Sequence, residues 1–284
     1  MFDKDAIIEL QTGAAIVHAQ AAMQEHDKTD NLVSLPSDFK VHDLEQYLPH
    51  RRRPRGTMTT EALASFADYF TTHAETGATV FVDKDAMKAV GVLNLGDSFD
   101  HPGHADNKAV LALKSVAAFD ALRKVANGQA QSQAAVAEWM EDWQDLIDCF
   151  VQSANEGERS GEINIARAIA AVRSITIDAA RKVESEEGQL SASKSAFESV
   201  KASSKHTLPT HIYFDTAPYM GLQPRTFVLR LGILTTGDKT SIVLRPIKME
   251  EHQQEMAEEF ADIVTKALAD TNYTVLIGTY AKNT

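Results

Sequence analysis

The chain holds a single cysteine, Cys149, among 284 residues. One thiol closes no intrachain disulfide, which excludes a disulfide-stapled scaffold and fits a reducing compartment. No apolar run reaches the 18 residues or so of a transmembrane helix. The opening MFDKDAIIEL is acidic and polar, unlike a secretory leader, so a cytoplasmic protein is expected. Basic charge is in deficit: 28 Lys and Arg stand against 40 Asp and Glu, a net charge of −12. A protein built mainly to grip phosphate backbones is usually basic, so that class is disfavoured, while a local basic patch stays open. G-x-S-x-G, a Walker phosphate loop and G-x-G-x-x-G are all missing. No complete catalytic constellation is expected, and no cofactor. Apolar residues are present in quantity, at 44% with 24% charged, which supports a real core and excludes wholesale disorder.

Ile7, Leu10, Ala14, Val17 and Ala21 recur at steps of three and four, predicting a helix over 5–24 with a thin alanine-rich stripe. Residues 32–36 read as a short extended piece, and 39–48 fit no single period. His50-Arg51-Arg52-Arg53-Pro54-Arg55-Gly56 is a basic loop, broken by Pro and Gly. Thr59 or Thr60 is expected to cap a helix over 61–73 with Leu63, Phe66, Ala67 and Phe70 inward. Beyond Gly77 the period shortens to two. Segments 78–82, 87–95 and 109–113 read as an antiparallel meander, turned at Asp83-Lys84-Asp85 and by a polar loop over 96–107. Helices follow over 115–125, 131–150 and 163–171. The long middle one carries Trp139, Trp143, Leu146, Ile147 and Phe150 on one face, and Glu138, Glu141, Asp142, Asp145 and Asp148 on the other. Residues 174–178 alternate as a strand does, Gly188 signals a turn, and 190–200 stay open between strand and loop.

The last third is clearer. Strands are expected at 211–214, 226–231 and 241–244, the latter two joined in a hairpin at Gly237-Asp238. A helix over 250–269 turns Met256, Phe260, Ile263, Val264 and Ala267 inward, and 273–280 return as a closing strand. Runs of strands and of helices without strict βαβ alternation predict an α+β fold, an antiparallel meander and hairpins packed with amphipathic helices. Residues 1–58, the N-terminal helix and basic loop, read as a candidate assembly arm. Residues 59–284 read as the core, with 155–162 the place for any further split.

Two stretches carry a family resemblance. One is FADYFTTHAETGATVFVDKDAMKAVGVLNL with the following HPGHADNKAVLAL; the other is LPTHIYFDTAPYMGLQPRTFVLRLGIL, then SIVLRPIKMEEHQQEMAEEFADIVTKAL. Together they resemble the YfdQ-like proteins, a family of unknown function encoded by phages and prophages. The first sixty residues match less clearly. The resemblance implies a setting in the host cell cytoplasm. It supplies no catalytic residues to carry over.

Four groups are candidate sites. Asp97, His101, His104 and Asp106 put imidazoles and carboxylates in one loop, the donor types of zinc or manganese. No second ligand pair follows, and local backbone bonding is the favoured reading. Arg51, Arg52, Arg53 and Arg55 suit phosphates or an acidic partner surface, against a solvated loop as the favoured reading; no aromatic interleaves them. Trp139 and Trp143 fit core or a subunit interface. Residues 138–162 carry eight acids and one Arg, a solvated face or an imitation of DNA. Asp83 and Asp85 suit a turn, His206 and His211 a surface or a strand edge, and Cys149 a buried hydrophobe on a helix.

The expected function is that of a phage or prophage accessory protein acting by self-assembly, as a homo-oligomer larger than a dimer, and by binding a host or phage protein, without a membrane partner. The alternatives are an accessory factor in phage DNA replication or recombination, using the basic loop, and a metal-dependent enzyme built on 97–107. Weak binding to generic DNA and no tight metal site in that loop are expected.

Overall fold

Residues 3–4, 8, 11–14, 17, 45–98, 100–151, 161–175, 207–236, 239–269 and 271–281 are described in the structure, a computed structural model of the chain. It divides into two compact units, Met1–Pro54 and Arg55–Thr284. In the first, Lys4, Ile8, residues 11–14 and Val17 are helical, in line with the three-and-four spacing. Thr12 Oγ1 donates to the Ile8 carbonyl at 2.8 Å, a bond one helical turn long. A 3-10 turn, Glu45–Tyr47, precedes the basic loop. The extended piece at 32–36 lies outside the described residues, as do Gly188, the 190–200 segment, His206 and most of the 174–178 alternation.

The second unit is an α+β fold of two mostly antiparallel sheets. The first has the order β1-β4-β3-β2-β11, from β1 (Gly56–Thr60), β2 (Thr79–Asp83), β3 (Lys88–Val92), β4 (Asn107–Ala112) and β11 (Thr274–Ile277). β2, β3 and β4 form the expected meander, with Phe81 opposite Val90 and Val90 opposite Val110. Asp83 Oδ1 accepts from the Ala86 amide at 3.1 Å, which closes the first turn.

Both edge strands pair in parallel, β1 with β4 and β11 with β2. β1 corrects the expectation that Thr59 or Thr60 caps a helix. Three β-branched threonines in Thr57-Met58-Thr59-Thr60 favour the extended state, and β4 supplies its partner. Helix α1 (Leu63–His73) starts two residues later, where the Ala62 amide donates to Thr60 Oγ1 at 3.1 Å. Phe66 and Phe70 of α1 are buried in the core with Val80, Val82, Ala89, Ala109 and Leu111. Gly91 makes the close approach possible: a Cβ there would stand 2.4 Å from the Phe70 ring.

The second sheet is antiparallel throughout, in the order β5-β10-β9-β8-β6-β7. Its strands are β5 (Gln131–Ser132), β6 (Ile147–Phe150), β7 (Glu162–Ile163), β8 (His211–Thr216), β9 (Arg225–Thr236) and β10 (Lys239–Pro246). β9 and β10 pair from Thr236 opposite Lys239, the register a two-residue hairpin at 237–238 requires. Cys149, Ile212 and Leu229 stand in one row across the strands, Ile147, Phe214 and Phe227 in the next. Period two puts all six on one face. The same core takes in helices α2 (Ala117–Val125), α3 (Gln133–Asp142) and α4 (Ile165–Arg173) through Phe119, Leu122, Met140 and Val172. Helix α5 (Met249–Ala267) buries Met256, Ala257, Phe260 and Val264.

The helix expected over 131–150 is too long. It ends at Asp142, passes through a 3-10 turn at Gln144–Leu146 and becomes β6. Ile147-Asp148-Cys149-Phe150 satisfies helical spacing from Trp143 but also opens with the alternation of a strand. Pairing to β8 and β7 on either side decides between the two periods. Cys149 therefore lies on a central strand, not on a helix. Among the described residues no helix is long and apolar enough to cross a membrane.

Candidate functional site

The polar loop between β3 and β4 uses its donors and acceptors to close itself. Buried Asn94 is the hub. Its Nδ2 donates to Asp106 Oδ1 at 2.9 Å, its Oδ1 accepts from the Asn107 amide at 3.0 Å, and its carbonyl accepts from the Ala105 amide at 3.0 Å. The Gly103 amide reaches the Leu95 carbonyl at 2.7 Å, and a Cβ on Gly103 would sit 2.1 Å from the Asn94 carbonyl oxygen. Only glycine permits that crossing. Asp106 thus serves the turn. His101 Nδ1 stands 3.2 Å from Ser98 Oγ and 4.0 Å from Asp97 Oδ1 at an exposed tip, and His104 is exposed as well. Among the described residues no three His, Cys, Asp or Glu side chains converge as metal ligands.

The basic loop is placed differently. Arg51, Arg52 and Arg55 are exposed and Arg53 is half-buried. The Arg52 amide donates to Glu45 Oε1 at 3.1 Å, anchoring the loop to the 3-10 turn before it. On that turn Tyr47 is 76% exposed, an open ring that residue types alone do not reveal.

The tryptophans belong to the second sheet. Trp139 is only 8% exposed and stacks on Phe214 with ring centres 5.4 Å apart, so its ring is core rather than a docking surface. Trp143 is half-buried and meets Phe214 edge-on at 6.4 Å. The acidic run does not form one helical face. Glu138, Glu141 and Asp142 stay on α3, Asp145 falls on the 3-10 turn and Asp148 on β6. Arg173 Nη2 pairs with Glu141 Oε2 at 2.8 Å, tying α4 to α3. Burial, helped by Asp148, pushes the Cys149 thiol up to about 12, which leaves a protonated, inert group.

One polar cluster joins residues that are far apart in the sequence. Arg225, at the start of β9, is 14% exposed in its side chain. It pairs with Glu259 of α5, itself 19% exposed, and with Glu255 at 3.3 Å. Glu259 Oε1 also accepts from the Gln223 amide at 2.7 Å. His252 packs its ring 4.9 Å from Phe227, with Nδ1 3.8 Å from Glu255. Burial holds the His252 imidazole below its ordinary range, against the raising effect of Glu255. The cluster clamps the first half of α5 to the sheet and to the chain leading into β9. The spacing of Glu251, Glu255 and Glu259 at every fourth residue is its one sequence signal; the arginine that answers it lies 34 residues away.

No curated protein and no solved structure matches this chain. A family model does, across the helices, both sheets and the two loops just described: residues 4–280 match the one described as an uncharacterized conserved protein, DUF2303, and the chain belongs to that family.

Proposed function

We propose that the chain is a phage- or prophage-encoded accessory protein of the host cytoplasm that acts by self-assembly and by holding a macromolecular partner, without catalysing a reaction. The phage setting rests on the resemblance of the two stretches quoted above. The assembly reading rests on the N-terminal helix. Every described side chain on it, from Lys4 to Val17, is exposed, and Ile8 and Val17 are 50% and 64% exposed. They lie nine residues, about two and a half turns, apart, on opposite faces. An isolated helix of this length is marginal in water and is stabilised by packing its apolar surface. Apolar groups on two opposite faces suit a bundle, in which each helix has two neighbours, better than a simple pair. The occupant is a second and further copy of the same helix, since closed homo-oligomers are the common outcome for such surface.

Light scattering on the full chain at micromolar concentration is expected to return more than twice the 31.1 kDa of one chain. Ile8→Asp with Val17→Asp is expected to return the single-chain mass with the far-ultraviolet circular dichroism of the remainder intact. A single-chain mass for the unaltered protein overturns the proposal.

A further inference from the structure

We infer that the segment from Tyr47 to Arg53 is a binding site for single-stranded nucleic acid, a site independent of the assembly proposed above. Tyr47 is 76% and Leu48 44% exposed. Four to five residues on come Arg51 and Arg52, both exposed, with Arg53 half-buried beside them. From Gln46 to Thr60 the sequence holds four arginines and a histidine and no acidic side chain. Glu45, the acid next to the segment, accepts the Arg52 amide and so bends the loop back on the 3-10 turn that carries Tyr47. Pro49 and Pro54 limit the backbone on either side of the arginines.

The two chemistries are complementary. A guanidinium fork matches the oxygens of a phosphate. An open phenol ring offers a stacking face to any unpaired base, whatever its sequence. A duplex keeps its bases stacked, so the ring adds nothing there. An acidic protein surface needs the charge but not the ring. The combination therefore favours a single strand over both. The net charge of −12 opposes any polyanion at long range. Binding is accordingly modest per subunit and steeply dependent on salt, which leaves the expectation of weak generic DNA binding in place.

The test is fluorescence anisotropy of the full chain with a labelled oligothymidylate of about 20 nucleotides, its RNA counterpart and a duplex of the same length, at about 50 and 200 mM salt. The single strands are expected to bind more tightly than the duplex. Tyr47→Ala is expected to weaken single-strand binding roughly 5- to 100-fold at unchanged salt slope, and Tyr47→Phe to restore it. Arg51→Ala with Arg52→Ala is expected to reduce the slope by roughly 1 to 1.5, the loss of about two phosphate contacts on a single strand. Circular dichroism and oligomeric mass check that the variants keep their fold. No single-strand binding at the lower salt overturns the inference. So does duplex binding as tight as single-strand binding with Tyr47→Ala silent, which marks a generic cationic patch. Competition by polyglutamate as effective as by oligothymidylate overturns it in favour of an acidic protein partner.

Discussion

Arg225 ties the start of β9 to α5 through several contacts at once. Its Nη1 lies 3.3 Å from Glu255 and 3.4 Å from the His252 carbonyl, and its Nη2 pairs with Glu259, all on α5. Removing one partner of a buried pair leaves the other charge without its compensation, which costs about 3–5 kcal/mol when both are fully buried. Arg225 and Glu259 keep 14% and 19% of their side-chain surface. The expected cost of Arg225→Met is therefore smaller, about 2 kcal/mol, read from the midpoint of urea unfolding at constant m-value. Arg225→Lys is expected to recover less than half of it, because a point charge cannot bridge Glu255 and Glu259 as the planar fork does. Equal stability of the Met variant would show that Arg225 does not clamp α5 to the sheet.

Two of the helices begin on side-chain caps. Ser132 Oγ accepts from the Ala135 amide at 3.1 Å at the start of α3, and Asn164 Oδ1 accepts from the Ala166 amide at 3.0 Å at the start of α4. Each cap satisfies one of the orphan amides of a first turn. Ser132→Ala and Asn164→Ala are each expected to cost about 1 kcal/mol, and Ser132→Asp to be nearly neutral. The two costs should add in the double variant, since the caps share no partner; chemical denaturation of the four proteins measures this. The opening of α2 is held by another device. Ser115 Oγ donates to Asp120 at 2.8 Å, and this bond, with Arg123, holds the Asp120 carboxyl below its ordinary range.

At the scale of the whole molecule, His252, His211 and Cys149, each favoured in its neutral form by burial, contribute to the pH dependence of stability. Burial lowers His252 and His211 from the ordinary value of 6.5, with Arg230 adding to the effect at His211. Both therefore fold best uncharged. As pH falls below 6.5 the unfolded chain takes up these protons first, so stability present above 6.5 is lost progressively towards the folded-state values. Cys149 sets the alkaline side with the opposite sign. Its raised thiol contributes fully below the ordinary value of 9.0, and that contribution is lost as pH rises towards about 12. The melting temperature is expected to fall between about pH 7.5 and pH 5, and His211→Gln with His252→Gln to flatten that fall. An equally steep fall in the double variant would assign it to other groups.

Local pattern determined much of this protein. The alternation in 78–82 and 109–113, the turn at Asp83, the antiparallel pairing of β9 with β10 and the stripe of Met256, Phe260 and Val264 all follow from neighbours in the chain, and each reappears in the α+β fold. Three features did not follow, because each depends on a partner far away in sequence. Residues 147–150 fit both periods until β8, some 60 residues on, pairs with them. Gly56–Thr60 becomes a strand because β4 lies alongside in parallel. Arg225 meets Glu259 only when α5 folds back over the start of β9. The candidate site divides in the same way. The arginines of the basic loop are plain in the sequence; that Tyr47 stands open beside them is a matter of exposure, which only the folded chain determines.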